Sequence, residues 1–122
     1  MSFKFKKKLP VPKEIKELYP VSSALAAQTK ELDQQIIDVI TGKSDKFLAI
    51  IGPCSADNEA SVCEYIERLV KVQEKIKDKV IIVPRIYTNK PRTTGEGYKG
   101  MLHQPDPEKA PDLLQGIIAI RK

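Results

Sequence analysis

Cys54, Arg85, Lys90, Arg92 and Lys99 are the residues with the most chemistry to offer, and Thr93, Thr94, Gly95 and Gly97 stand among them. A thiolate at position 54 would suit a soft or borderline divalent metal. A thiol there is equally an ordinary buried side chain, because a metal site needs three or four ligands and one cysteine is not a site. The arginines present planar forks that grip phosphate or carboxylate with two hydrogen bonds, and a lysine adds a point charge. Hydroxyls and backbone N–H groups at Thr93, Thr94, Gly95 and Gly97 would complete an anion cradle. The alternative is a solvated basic loop. Arg85 tips the balance toward an anionic partner, because it lies in an apolar run where an unpaired charge is costly. His103 is the single histidine and has the range to act as acid, base or ligand, although a lone loop histidine is usually none of these.

These residues sit where two apolar runs end. Phe47-Leu48-Ala49-Ile50-Ile51 runs into Gly52-Pro53-Cys54-Ser55. Val80 to Tyr87 runs into Thr88-Asn89-Lys90-Pro91-Arg92-Thr93-Thr94. Runs without polar alternation fit strands buried on both faces of a parallel sheet. Asp57 or Asn58 caps a helix between them, extending to about Lys77 with Val62, Ile66, Leu69 and Ile76 as its buried stripe. Cys63 beside that stripe reads as a small core residue. The β-α-β spacing predicts parallel strands with a right-handed crossover. Pro84 conflicts with a continuous central strand, so a bulge or strand end belongs near it. In α/β sheets and (β/α)₈ barrels, ligands bind at the C-terminal ends of the strands, where these loops lie.

Residues 1–21 read as a Lys- and Pro-rich arm, with Phe3 and Phe5 alternating with lysine as a short extended segment permits. The arm either docks on a neighbouring subunit or is a solvated terminus. Ser22 or Ser23 caps a helix to about Ile40, and Gly42 suits the position just past its end. Thr88 to Pro107 is a long Gly-, Pro- and Thr-rich loop, a length that favours a functional role. Pro111 fits the first turn of a last helix carrying Leu113, Leu114, Ile117, Ile118 and Ile120.

The 122 residues, 41% hydrophobic and 30% charged, describe one small folded domain. No apolar run approaches the ~20 residues of a membrane helix, and the basic start leads into Leu9-Pro10-Val11-Pro12 rather than a signal sequence. Two cysteines without such a signal point to a reducing, cytoplasmic setting with free thiols. The net charge of +5 suits small phosphorylated metabolites better than nucleic acid, since the few aromatics are not interleaved with basic residues for base stacking.

Taken in order, Ile51-Gly52-Pro53-Cys54-Ser55, Arg85-Ile86-Tyr87, Lys90-Pro91-Arg92-Thr93-Thr94 and Gly97-Tyr98-Lys99-Gly100-Met101 resemble the 3-deoxy-D-arabino-heptulosonate 7-phosphate synthases. The likeness is nearer to the metal-dependent branch regulated by aromatic amino acids. Ile15-Lys16-Glu17-Leu18 and Leu102-His103-Gln104-Pro105-Asp106-Pro107 resemble that branch too.

The resemblance implies a transferase at the entry to the shikimate pathway, condensing phosphoenolpyruvate with erythrose 4-phosphate. It implies a (β/α)₈ TIM barrel behind an N-terminal extension used in subunit contact and regulation, in a homo-oligomer. Residues 1–45 would be the extension, and residues 46–122 the first two βα units of the barrel. Cys54 would ligate a divalent metal of the Mn, Co, Fe or Zn type. Arg85 and Lys90 would hold phosphoenolpyruvate and serve the reaction, while Pro91, Arg92, Thr93 and Thr94 would line the aldose phosphate site. A barrel of this kind takes about 250 residues, so this chain corresponds to its first third. The remaining metal ligands would lie on later strands, with any catalysis belonging to the complete barrel. The related synthase of an eight-carbon sugar acid shares the Gly-Pro-Cys strand end, but the Lys90-to-Thr94 segment favours the seven-carbon enzyme. A non-catalytic, self-associating fragment is the other reading.

Overall fold

A computed structural model describes residues 4, 5 and 7–122. In chain order the elements are α1 (Pro12–Leu18), α2 (Ser23–Ile40), β1 (Phe47–Ile51), α3 (Glu59–Ile76), β2 (Val80–Pro84) and α4 (Leu113–Arg121). Phe3 lies outside the described residues. Phe5 is almost fully exposed and in no strand.

The helix ends follow from local chemistry. At the start of α2, Ser22 Oγ accepts from Leu25 N–H at 3.2 Å. At its other end the Lys43 N–H donates to Asp38 O at 2.8 Å and the Gly42 N–H to Val39 O at 3.1 Å. This pair of bonds needs a left-handed residue, and Gly42 supplies it with φ +73°. Asn58 caps α3, its Oδ1 accepting from Ser61 N–H at 3.0 Å. The arm expected before residue 22 contains a short helix instead. Pro12 opens α1, where its missing N–H costs nothing. Glu14 reaches back to accept from Val11 N–H at 2.9 Å. Pro111 precedes the last helix rather than opening it; Asp112 is the cap, accepting from Leu114 and Gln115 N–H.

β1 and β2 pair in parallel, Phe47 opposite Val80 and Ile51 opposite Pro84. The second strand ends at Pro84, shorter than the run to Tyr87, and Pro84 has no N–H to offer on the edge away from β1. One more bond forms beyond it, from Arg85 N–H to Ile51 O at 2.7 Å. α3 lies against β2. With two strands and helices packed on them unevenly, β1 is not buried on both faces as its composition suggests: Phe47 is 69% and Ile50 63% exposed. The stripe Val62, Ile66, Leu69 and Ile76 is half-buried. Cys63, read as core, is exposed on the rim of an apolar groove of about 600 Å³ between α3 and α4.

Among the described residues the buried apolar side chains are Ile15, Ala56, Ile81, Ile82 and Met101. Ile15 anchors α1 beside Leu102, Ile117 and Ile120, and Arg121 Nε donates to Tyr19 O at 2.9 Å. The first turn of α4 rests on the loop backbone: a Cβ at Gly116 would lie 2.0 Å from Leu102 O and 2.7 Å from Met101 O. In an open helix Gly→Ala gains about 1 kcal/mol. Here the sign reverses, and Gly116→Ala lowers stability by about 1–3 kcal/mol through overpacking against a rigid carbonyl. Urea unfolding measures it; a stabilised variant would mean that α4 is not seated on residues 101–102.

Candidate functional site

The parallel ladder brings both strand ends to one end of the sheet, and Gly52 lets them meet. A Cβ on Gly52 would fall 1.8 Å from the carbonyl oxygen of Arg85. The chain after β1 therefore passes directly over the chain after β2. Ala56, with no exposed surface, is stitched in from both sides. Its N–H donates to Tyr87 O at 2.9 Å, and its carbonyl accepts from Met101 N–H at 3.2 Å. The loop from residue 88 to 102 then closes on itself through Lys90 N–H to Lys99 O and Leu102 N–H to Thr88 O, both 2.9 Å. Gly100, at φ +96°, lies so near Thr88 O that a Cβ would be 2.3 Å away.

On this frame Lys90 Nζ donates to Cys54 Sγ at 3.0 Å. The thiol is exposed and its pKa is lowered, first by the hydrogen bond and charge of Lys90, then by the charges of Arg85 and Arg92. The sulfur and three cations thus share one side of the strand ends. Arg85 is exposed, not buried within the strand as the apolar run implied, because the strand ends one residue earlier. Its Nη1 donates to Pro53 O at 2.8 Å and its guanidinium lies 4.5 Å from the centre of the Tyr87 ring. Arg92 Nε donates to Tyr98 O at 2.9 Å, with Gly97 against the guanidinium face.

The rest of the expected cradle is looser. Pro91, Thr93 and Thr94 are exposed, the two threonines at the tip of a turn closed by Gly95 N–H to Arg92 O at 3.0 Å. That bond takes the Gly95 N–H out of the donor set. Lys99 joins through its carbonyl rather than its ammonium. His103 Nε2 lies 3.1 Å from Asn89 Oδ1, beside the cationic group and outside it.

Tyr98 stands in the Gly97-to-Met101 motif, but the sequence alone assigned it no role of its own. Its hydroxyl sits 2.9 Å from Gln104 O and 3.3 Å from Ala56 O, and burial, with a smaller effect from Asp57, pushes its pKa up. A lone aromatic within a Gly-rich loop was its signal: a side chain that size is what such a loop folds around.

A metal would find one donor here. Cys54 is accessible and acidified, which suits a thiolate ligand. Among the described residues no group of three or more His, Cys, Asp or Glu side chains converges. These residues therefore fit one position of a metal site and do not hold a metal alone. No helix among the described residues is long and apolar enough to cross a membrane.

A strand-end loop carrying an acidified thiol, beside a second carrying two guanidinium groups and an ammonium, defines an α/β protein with a polar site at the strand ends. Residues 19–114 match the DAHP synthetase I family, and the chain belongs to that family. It is 38% identical over 111 residues to the phospho-2-dehydro-3-deoxyheptonate aldolase of Haemophilus influenzae, covering 91% of this chain and 30% of that one. It is 32% identical over 114 residues to the Tyr-sensitive aldolase of Escherichia coli, covering 93% and 32%. The structure of the aldolase from Francisella tularensis superposes with a TM-score of 0.87 at 25% identity, over 97% of this chain and 34% of that one. The chain spans about a third of the length of these relatives.

The two cysteines give a direct check, since both are exposed and Cys54 accepts a hydrogen bond from a lysine ammonium. A lowered pKa leaves more thiolate at neutral pH, so iodoacetamide alkylates Cys54 faster than Cys63. The midpoint of its rate against pH lies below that of an ordinary thiol. Lys90→Met moves that midpoint upward. Equal rates and equal midpoints in the parent chain would show that the Lys90 contact does not form.

Proposed function

We propose that this segment supplies part of the active site of a 3-deoxy-D-arabino-heptulosonate 7-phosphate synthase, condensing phosphoenolpyruvate with erythrose 4-phosphate and releasing phosphate. The observation that carries the proposal is the meeting of Cys54 with Lys90 at 3.0 Å, with the charges of Arg85 and Arg92 acting on the same sulfur. Membership of the DAHP synthetase I family and the likeness to phospho-2-dehydro-3-deoxyheptonate aldolases support it.

In this reading residues 46–122 are the first two βα units of a (β/α)₈ barrel, and residues 1–45 are the extension that serves subunit contact and regulation. Arg85 and Lys90 hold the phosphate and carboxylate of phosphoenolpyruvate. Both are kept in place from the backbone side, Arg85 through Pro53 O and Lys90 through its N–H to Lys99 O. Arg92, set by Tyr98 O, faces the phosphate of the aldose, with Pro91, Thr93 and Thr94 along the same wall. The cations offset the repulsion between two anionic substrates and hold their reacting carbons close, which converts an encounter in water into a positioned one. Cys54 gives one thiolate to a divalent metal whose other ligands come from outside residues 1–122. That metal, when bound, supplies Lewis acidity toward a carbonyl oxygen. The protein works on small soluble metabolites in the cytoplasm, as a homo-oligomer.

A second reading rests on the exposed apolar residues of β1, Phe47, Ile50 and Ile51: a non-catalytic segment that associates with copies of itself.

In the complete synthase containing this segment, Arg92→Ala raises KM for erythrose 4-phosphate about tenfold, the weight of a lost charge-assisted hydrogen bond, and raises that for phosphoenolpyruvate far less. The opposite order would remove Arg92 from the aldose site. Residues 1–122 alone, supplied with both substrates and Mn²⁺, form no seven-carbon product; clear turnover would contradict the division of labour proposed here.

A further inference from the structure

Gln73, near the end of α3, reaches the outer edge of β2. Its Nε2 donates to Val80 O at 2.9 Å, and its Oε1 accepts from Ile82 N–H at 2.6 Å. In a parallel sheet one residue of a neighbouring strand offers the same pair, donating to the carbonyl of one residue and accepting from the N–H two residues on. The ladder fixes which edge this is. Phe47 N–H bonds Lys79 O and Arg85 N–H bonds Ile51 O, so the odd-numbered residues of β2 turn their backbone groups toward β1. Val80 and Ile82 turn theirs away, to the side where Gln73 meets them. Pro84, the next residue facing that way, has no N–H to offer.

We infer that the Gln73 carboxamide is a stand-in for a neighbouring strand and closes the outer edge of β2. Among the described residues no side chain bonds the outer edge of β1 in this way, and Phe47 and Ile50 beside it are exposed. An unpaired edge is a template for pairing with another chain, so the two edges of this small sheet are not equivalent. Strand addition at β2 by a second copy of this chain first requires Gln73 to let go of two hydrogen bonds. The inference does not depend on the proposed reaction, because it concerns the sheet edge alone.

The test is made on the 122-residue chain by nuclear magnetic resonance. A scalar coupling across the hydrogen bond between Ile82 N–H and the Gln73 side-chain carbonyl carbon is expected. Its absence in a folded, assigned chain overturns the inference. In Gln73→Ala the Ile82 amide exchanges about tenfold faster, as expected for one lost hydrogen bond, while the Val83 amide, which faces β1, keeps its rate. Gln73→Glu keeps the acceptor for Ile82 N–H and loses the donor to Val80 O, so Ile82 exchange falls between the two. Unchanged Ile82 exchange in Gln73→Ala would also overturn it. If that variant unfolds, Val83 exchanges with Ile82, and the coupling in the parent chain decides.

Discussion

Gly52 and the carbonyl of Arg85 compete for the same space, and the site depends on how that competition is resolved. With a hydrogen in place of a side chain, the segment after β1 crosses the segment after β2 at a separation no other residue allows. The parallel register sets this up by pairing Ile51 with Pro84 and adding the Arg85 N–H to Ile51 O bond. Once the crossing is made, Cys54 has little freedom to lie elsewhere than beside the loop that carries Lys90. Ala56, buried and bonded on both sides to that loop, holds the arrangement from beneath.

The electrostatics follow from this packing. Arg85, Lys90 and Arg92 are exposed or half-buried, so water and salt moderate their mutual repulsion. Two of them are also tied to carbonyl oxygens, Arg85 to Pro53 and Arg92 to Tyr98. Each carbonyl dipole offsets part of a positive charge and fixes a guanidinium group in orientation. The cations are therefore positioned before any anion arrives, which is the condition for binding to be specific rather than a diffuse attraction. Lys90 is held differently: its ammonium leans on a sulfur, and a bound anion or metal would compete for one partner or the other.

Much of the frame was legible in the sequence because it rests on local chemistry. Ser22 and Gly42 mark the ends of α2 and Asn58 opens α3, each through backbone donors and acceptors within a few residues, and β2 ends at Pro84. The bringing together of Cys54 with Lys90 was also expected, from two strands ending in polar loops. What escaped was non-local or context-dependent. Arg85 looked buried because its neighbours are apolar, but the strand ends at Pro84. Cys63 looked like core on a helical stripe that the small sheet does not fully cover. The short helix at Pro12 was hidden in a Lys-rich stretch, although Pro12 and Glu14 were its signals. Gly116, Tyr98 and Gln73 matter through contacts with backbone outside their own elements, which helical or strand periodicity does not announce.

The central claim is that the thiol and the three cations form one site. Titrating the chain with inorganic phosphate while following the resonances of Cys54, Arg85, Lys90 and Arg92 addresses it most directly. All four are expected to move along a single saturation curve. Responses that saturate separately, or a response confined to Arg92 with Cys54 and Lys90 unmoved, would contradict it.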